Sequence, residues 1–258
     1  NIEGLKEAIL RNGDKKKVIV LVNFPNNPAG YSPTVKEAQN LAETIRQCAD
    51  RGIDILTISD DAYYGLFYEE GIETQSSFTY FSNLHDRVLA VKVDGSTKED
   101  FVWGFRVAFF TFGGKGLTQK QYEALNVKVS GILRTSISSS SRLAQSIMLR
   151  VMKSPTYQEE KKAKYRILQE RYEKVKEILK NRKNGKALEE FPFNSGYFMS
   201  FRCKGISAEA LRQRLLERGI GTINLQNQFL RVTFASIDVS GLEDLYREIF
   251  KAADELAG

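Results

Sequence analysis

Two short apolar runs separated by a helical pattern constrain the fold class of this chain most strongly. Residues 17–23 read KVIVLVN, a continuous β-branched run typical of a strand that is covered on both faces. Apolar residues then recur three and four positions apart from Val35 to Ala49, and Gly52 ends the pattern. Residues 53–59, IDILTIS, form the next strand. Strand, helix and strand predict an α/β domain with a largely parallel sheet.

Further elements complete this domain and predict a second one. Ser32–Pro33 is expected to be the N-cap and the first-turn proline of the helix. Residues 87–93 and 107–112 form a third and a fourth strand. A long amphipathic helix includes Tyr165 and ends near Asn184–Gly185.

Short elements follow that helix. They are a strand at 196–201, a helix at 207–218, strands at 220–224 and 229–234, and a last helix from Ser240. They indicate a smaller α+β domain. The predicted boundaries are 1–142 for the larger domain, 143–185 for a long interdomain helical region, and 186–258 for the smaller domain.

The amino-acid composition argues against membrane, metal-binding and nucleic-acid-binding proteins. The 258 residues are 42% hydrophobic, and no apolar run approaches the ~20 residues needed to cross a bilayer, so no membrane partner is expected. Two cysteines and one histidine leave little material for disulfides or a metal site and favour a reducing, cytoplasmic location. The net charge is +6, but the basic clusters alternate with glutamates, which indicates a solvated helix face and no nucleic-acid partner.

Chemically useful side chains follow the predicted strands. Asp60 and Lys98 each fall just beyond a strand, and Asn27 follows another. In open α/β sheets ligands gather at the carboxyl ends of strands, so these three residues are expected to line one crevice. Lys98 and Arg106 are eight residues apart, a spacing that can bring an amine and a guanidinium to one phosphorylated aldehyde.

Four motifs in this order resemble those of the fold-type I pyridoxal-phosphate (PLP) enzymes, specifically the class I/II aminotransferases. They are NFPNNPAG at 23–30, DDAY at 60–63, DGSTKEDFVWGFR at 94–106 and FLRVTF at 229–234. The resemblance implies a PLP-transferase-like large domain plus a smaller α+β domain. It implies transfer of an amino group between an amino acid and a 2-oxo acid, and a homodimer.

The resemblance assigns roles around the cofactor. Lys98 would form the Schiff base with PLP and then carry a proton, as only a primary amine can. Asp60 would pair with the pyridine nitrogen and make the ring an electron sink. Asp61 competes for this role, but the Asp-x-x-Tyr spacing selects Asp60 with Tyr63. Tyr63 and Asn27 would hydrogen-bond the phenolic oxygen of the ring.

Other residues would hold the phosphate and the substrate. Arg106 would clamp the phosphate. Family members often carry a serine three residues before the lysine; here that residue is Gly95, with Ser96 and Thr97 adjacent, so the exact hydroxyl donor stays open, and Ser96 is the candidate. Arg231, together with Asn27, would grip the α-carboxylate of the substrate. Arg134 matches only in part an arginine that reads a side-chain carboxylate across a dimer, and a capping or surface role competes.

Three alternatives remain at this stage. The same cofactor site could serve a decarboxylase or a β-lyase. A non-catalytic, aminotransferase-like sensor domain of a transcription regulator would carry similar motifs. Coincidence in an unrelated α/β protein is the third.

The family's opening portion, with its phosphate-binding turn and ring-stacking aromatic, has no counterpart before Asn23. The chain is therefore expected to be a fragment, incomplete at the N-terminus of its large domain, that alone binds PLP poorly and is inactive.

Overall fold

The computed structural model describes residues 1–15, 17–182 and 187–258. These residues form two units, each built around its own four-stranded sheet. Unit 1 comprises Asn1–Phe24, Pro33–Gly65 and Glu70–Tyr157, and unit 2 comprises Pro25–Ser32, Leu66–Glu69 and Gln158–Gly258. The boundaries that the sequence places at residues 142 and 185 stay predictions.

The sheet of unit 1 contains the four strands expected from the apolar runs. They are β1 (Lys17–Asn23), β2 (Asp54–Asp60), β3 (Val88–Gly95) and β4 (Ala108–Gly114), in the order β1-β2-β3-β4. The first three are parallel and β4 runs antiparallel to β3. The prediction of a mostly parallel sheet is therefore confirmed.

The helices of unit 1 are α1 (Ile2–Arg11), α2 (Val35–Asp50), α3 (Ser77–Phe81), α4 (Ser96–Glu99), α5 (Gln119–Ser136) and α6 (Arg142–Met152). A short 3₁₀ turn, Gly13–Lys15, follows α1. Helices α1, α2 and α3 contribute to the core beside this sheet, and α2 and α3 contact its strands. The core joins residues of α2, such as Ile45 and Cys48, to Ile55 of β2 and Ala90 of β3.

The predicted start of α2 is wrong by two residues. Thr34, not Ser32, is the N-cap, and it forms a reciprocal capping box with Glu37. The Ser32 backbone N–H instead donates to the Asn194 side chain at 2.8 Å, and its hydroxyl donates to Ser195 at 2.9 Å. Ser32, Asn194 and Ser195 all belong to unit 2.

The two faces of the unit 1 sheet differ in exposure. Side chains of β2 alternate, so that Ile55, Thr57 and Ser59 are buried. On β1, which lies at the edge of the sheet, Ile19 is 59% exposed and Leu21 is 62% exposed. One face of this edge strand is therefore an exposed aliphatic surface, and the prediction that both faces of residues 17–23 are covered is wrong for the described residues.

In its described residues, unit 2 contains an antiparallel sheet of order β5-β6-β8-β7 and three helices. Its elements are α7 (Tyr157–Lys180, starting at the last residue of unit 1), β5 (Leu188–Glu190), β6 (Phe198–Cys203), α8 (Ala208–Glu217), β7 (Ile223–Leu225), β8 (Phe229–Thr233), a 3₁₀ turn (Phe234–Ser236) and α9 (Val239–Ala257). This arrangement confirms the predicted smaller α+β domain. The expected end of the long helix, near Asn184–Gly185, lies outside the described residues.

The core of unit 2 lies between its sheet and its helices, with Phe201, Leu230 and Tyr246 fully buried. The first of the two short strands starts later than predicted, at Ile223 and not at residue 220. Gly219, with φ +76°, directly follows the C-cap of α8, Arg218, and so ends that helix. Within the described residues, no helix is both long enough and apolar enough to span a membrane.

Candidate active site

The candidate lysine lies where two parallel strands of unit 1 end side by side. Asp60 is the last residue of β2 and pairs in register with Val93 of β3. Lys98 follows β3 directly, within α4. Its Nζ lies 5.0 Å from the ring centroid of Tyr63, which is itself buried. The strand ends therefore bring together the lysine, the acid and the tyrosine that the sequence singled out.

Charge and burial both act on the lysine. Partial burial lowers the pKa of Lys98 below its ordinary value, and the positive charge of Arg106 lowers it further. The negative charge of Asp60 opposes both effects. Lys98 thus lies within electrostatic reach of both residues. A larger neutral fraction makes this amine a better nucleophile than an ordinary surface lysine.

Arg106 is held by its own loop and by α6. Its Nη1 donates to the backbone oxygen of Trp103 at 3.0 Å, and its φ is +55°, in the left-handed region that non-glycine residues rarely occupy. Val107, next to it, packs with Ala144 and Met148 of α6 in a small buried cluster. Such local strain is often found at functional positions.

A cavity of about 470 Å³ adjoins this arginine. Its lining combines Arg106 with hydroxyl groups and aliphatic side chains. The residues are Gly104, Phe105, Arg106, Ile137, Ser139, Ser140, Ser141, Leu143, Ala144 and Ile147. A guanidinium beside several hydroxyls is a suitable environment for an oxyanion.

The structure explains why Gly95 stands where the family often has a serine, three residues before Lys98. A Cβ atom at Gly95 would meet the Val107 oxygen at 2.6 Å and the Ala108 Cα at 2.9 Å. Since these are backbone atoms of the neighbouring chain segment, a serine does not fit at that position. Ser96 is 1% exposed, and its Oγ has no hydrogen-bond partner among the described residues. Ser96 therefore offers a buried hydroxyl at this turn.

The two adjacent aspartates differ in environment. The Asp60 Oδ1 accepts a hydrogen bond from the Ala62 backbone at 3.2 Å, and the Asp60 carbonyl accepts one from the Asn23 side chain at 3.1 Å. Asp61 is buried on the other face, and burial raises its pKa to about 6. Sequence reasoning considered Asp61 only as a competitor for the role of Asp60. The alternating polar residues Thr57, Ser59 and Asp61 were a signal that this buried face is polar.

Unit 2 brings together the other two predicted residues. The Arg231 Nη1 donates to the Asn27 Oδ1 at 2.8 Å, and the guanidinium lies 4.4 Å from the ring centroid of Phe198. Gly30 fixes the loop that carries Asn27, because its φ is +73° and a Cβ there would meet the Phe198 oxygen at 1.9 Å. A guanidinium stacked on an aromatic face and oriented by an amide is well arranged to grip a carboxylate.

Arg134 is exposed near the end of α5, and its Nη1 donates to the Ser138 hydroxyl at 3.3 Å. Arg134 does not line the cavity beside Arg106, although Ile137 and the serines that follow it do. Its role in substrate binding stays a prediction.

Comparisons with known proteins agree with the motifs. The model of the family described as "Aminotransferase class I and II" matches residues 1–249. No curated protein matches the chain. Among solved structures, an aminotransferase from Anaerococcus prevotii is similar, with a TM-score of 0.84 and 22% identity, covering 98% of this chain and 61% of that one.

Two further solved structures are similar at lower identity. An aspartate aminotransferase tetra mutant from Thermus thermophilus has a TM-score of 0.71 and 20% identity, covering 99% of this chain and 63% of that one. A kynurenine aminotransferase from Pyrococcus horikoshii has a TM-score of 0.75 and 16% identity, covering 99% and 61%. At these identities the likeness shows the fold. The chain spans about three fifths of the length of these structures.

Proposed function

This chain belongs to the class I and II aminotransferases, and we propose that it carries the lysine and anion-binding residues of a PLP-dependent aminotransferase. The reaction would move an amino group between an amino acid and a 2-oxo acid. The observation that carries this proposal is the Lys98 amine, whose pKa is lowered beside Tyr63, Arg106 and Asp60.

The residues of unit 1 fit the cofactor. Ser96 offers a buried hydroxyl that no described residue satisfies, and Arg106 offers a guanidinium beside a cavity, which together suit a phosphate. Asp60 offers a carboxylate for a protonated pyridine nitrogen. When bound, PLP supplies an aldehyde that bonds to an amine and a conjugated ring that accepts an electron pair.

Each of the protein residues would then have a separate role. Lys98 would hold the cofactor through Nζ and, once released, its free amine would accept the proton that leaves the substrate α-carbon. Asp60 would keep the opposite end of the ring positively charged. Tyr63 and Asn27 would donate hydrogen bonds to the ring hydroxyl. Arg231 would bind the substrate α-carboxylate in a forked geometry.

Finer features of the proposal follow the family. We propose that Arg134 contacts a substrate side-chain carboxylate, that the protein is a homodimer, and that it works in the cytoplasm. The partners are then an amino acid and a 2-oxo acid. A decarboxylase or β-lyase would use the same lysine but release CO₂ or a leaving group. A regulatory sensor domain would bind the ligand without turnover.

One experiment separates these outcomes. In the full-length protein, Lys98→Ala should abolish transamination and the visible absorbance of bound PLP, because it removes the amine proposed to bond to the aldehyde. Lys115→Ala is the matched control, since Lys115 is an exposed lysine that pairs with Asp86. Product analysis by mass spectrometry distinguishes transamination from decarboxylation and elimination. Full transamination by Lys98→Ala would refute the proposal.

A further inference from the structure

A second cavity lies at the end of the unit 1 sheet that is opposite to Lys98. It has a volume of about 320 Å³, and its lining includes Lys17, Asp54 and Val88, the first residues of β1, β2 and β3. Parallel strands rise about 3.3 Å per residue, so β2 spans roughly 20 Å between this cavity and Asp60. The cavity is therefore distinct from the candidate active site.

The walls of this cavity are aliphatic. Leu56 and Leu89 line it, and they are register partners on β2 and β3, so their side chains lie on the same face of the sheet. Leu117 also lines it and lies over Gly114, because a Cβ at that glycine would meet the Leu117 Cδ1 at 2.8 Å. The volume is at the lower end of the range for small-molecule sites, about 300–1,000 Å³. These walls suit a short apolar group.

Backbone hydrogen bonds hold the rim of the cavity. The Leu117 N–H donates to the Gly114 oxygen at 3.3 Å and closes the turn at the end of β4. The Ile55 N–H donates to the Arg87 oxygen at 2.8 Å and fastens the start of β2 to the segment before β3. A rim that is ordered before a ligand arrives lowers the entropic cost of binding.

The charges at the rim leave one cation for a ligand. The Arg87 Nη1 lies 2.7 Å from the Asp54 Oδ1, and the Lys115 Nζ lies 3.4 Å from the Asp86 Oδ1, so each of these two cations is paired with a carboxylate of the lining. Lys17, the register partner of Asp54, is the third cation of the lining and is exposed. Within residues 1–15, 17–182 and 187–258, no carboxylate forms an ion pair with Lys17. Three cations and two carboxylates give the lining a net charge of +1.

We propose that this cavity is a second ligand site and that it binds a short-chain aliphatic monocarboxylate. The carboxylate of the ligand meets the Lys17 ammonium, and its chain lies against Leu56, Leu89 and Leu117. Inorganic phosphate has no apolar part to use these walls, and a cationic ligand is repelled by Lys17. The proposal does not rest on the proposed function, because this site uses no residue of the candidate active site.

The test is saturation-transfer difference NMR of hexanoate with the full-length protein. Hexanoate should bind saturably, with the largest transfer at its terminal methyl group and the neighbouring methylenes, because these contact the aliphatic walls. Lys17→Gln should weaken binding about threefold and Lys17→Glu about tenfold or more, since the second change adds repulsion. Leu117→Ala should weaken it about threefold through lost apolar contact. Lys36→Gln is the matched control, because Lys36 is an exposed lysine of α2, and it should bind hexanoate as wild type does.

Analogues and one further variant separate the causes of binding. Hexan-1-ol, which lacks the charge, should bind more weakly than hexanoate, and hexylammonium more weakly still. Inorganic phosphate at an equal concentration should leave the hexanoate signal unchanged. Arg231→Ala should keep the binding that depends on Lys17, because the proposed substrate-binding arginine is not part of this site. Circular dichroism verifies that each variant is folded.

Several results would overturn the proposal. Equal affinity of wild type and folded Lys17→Glu for hexanoate would do so. Displacement of hexanoate by an equal concentration of inorganic phosphate would do so too, as would loss of the signal in Arg231→Ala. Failure of the proposed function is distinct, because Lys98→Ala would then retain transamination while hexanoate binding still depended on Lys17.

Discussion

The Lys98 ammonium lies 5.0 Å from the ring centroid of Tyr63, over the face of a buried aromatic side chain. A cation is attracted to such a ring, but partial burial and Arg106 both favour the neutral amine. The placement of the lysine and the lowering of its pKa therefore have separate causes. Substitutions of its neighbours should separate them.

The reactivity of Lys98 should follow the charges beside it. Arg106→Gln removes a repelling positive charge, so the pKa of Lys98 rises and its modification by an amine reagent slows. Asp60→Asn removes an attracting negative charge, so the pKa falls and modification speeds up. Mass spectrometry of the Lys98 peptide against pH measures both rates, with Lys115 as the reference lysine. A change of the same sign in both variants would contradict the charge explanation.

Gly95 should tolerate no side chain. Gly95→Ala places a Cβ 2.6 Å from the Val107 oxygen, a backbone atom that cannot move aside easily, and should cost about 1–3 kcal/mol of unfolding free energy. Gly104→Ala is the control, because nothing lies within 4 Å of a Cβ there. Denaturant unfolding compares the two. Equal effects would mean that the strand ends are farther apart than described.

Ser96 should act in opposite directions on stability and on cofactor binding. Its buried Oγ lacks a partner among the described residues, so Ser96→Ala should raise the unfolding free energy of the chain by about 1 kcal/mol or leave it unchanged. In the natural full-length protein the same change should weaken PLP binding, measured by fluorescence titration. Destabilisation without a change in PLP affinity would contradict the phosphate-binding role.

Arg231 should govern the binding of the substrate. Arg231→Ala should raise the KM for the amino donor about a hundredfold, because a forked, charged pair of hydrogen bonds is lost, and PLP affinity should change little. Arg202→Ala is the control: Arg202 is an exposed arginine on β6 of the same sheet, within 4 Å of Glu189. Steady-state kinetics measure both variants. If Arg231→Ala weakened PLP binding more than it weakened binding of the amino donor, Arg231 would have to be reassigned as a cofactor-binding residue.

The strand ends could be predicted from sequence because apolar runs are strong signals. The apolar runs predict that Asp60 and Lys98 fall just beyond strands; Asp60 is the last residue of β2, one position earlier than expected, and Lys98 lies in α4, which follows β3. The predicted start of α2 was wrong because the local sequence pattern does not show long-range hydrogen bonds. Ser32 has the chemistry of an N-cap, but its bonds to Asn194 and Ser195 are about 160 residues distant in the chain.

Steric and electrostatic details also lay beyond the sequence. The motif left open which hydroxyl replaces the expected serine, and only the approach of Val107 to Gly95 excludes that position. The spacing rule selected Asp60 over Asp61, but it could not reveal that Asp61 is buried near Lys92 and Asp94. Such relationships depend on register between strands, which a single sequence does not fix.

The exposed aliphatic surface of β1 should affect the solubility of the purified chain. An edge strand offers unpaired backbone groups, and Ile19 and Leu21 add exposed apolar side chains beside them. Concentrated solutions should therefore form intermolecular β-structure on storage. Replacing either aliphatic residue with lysine would improve colloidal behaviour without touching the amine, the acid or the two arginines.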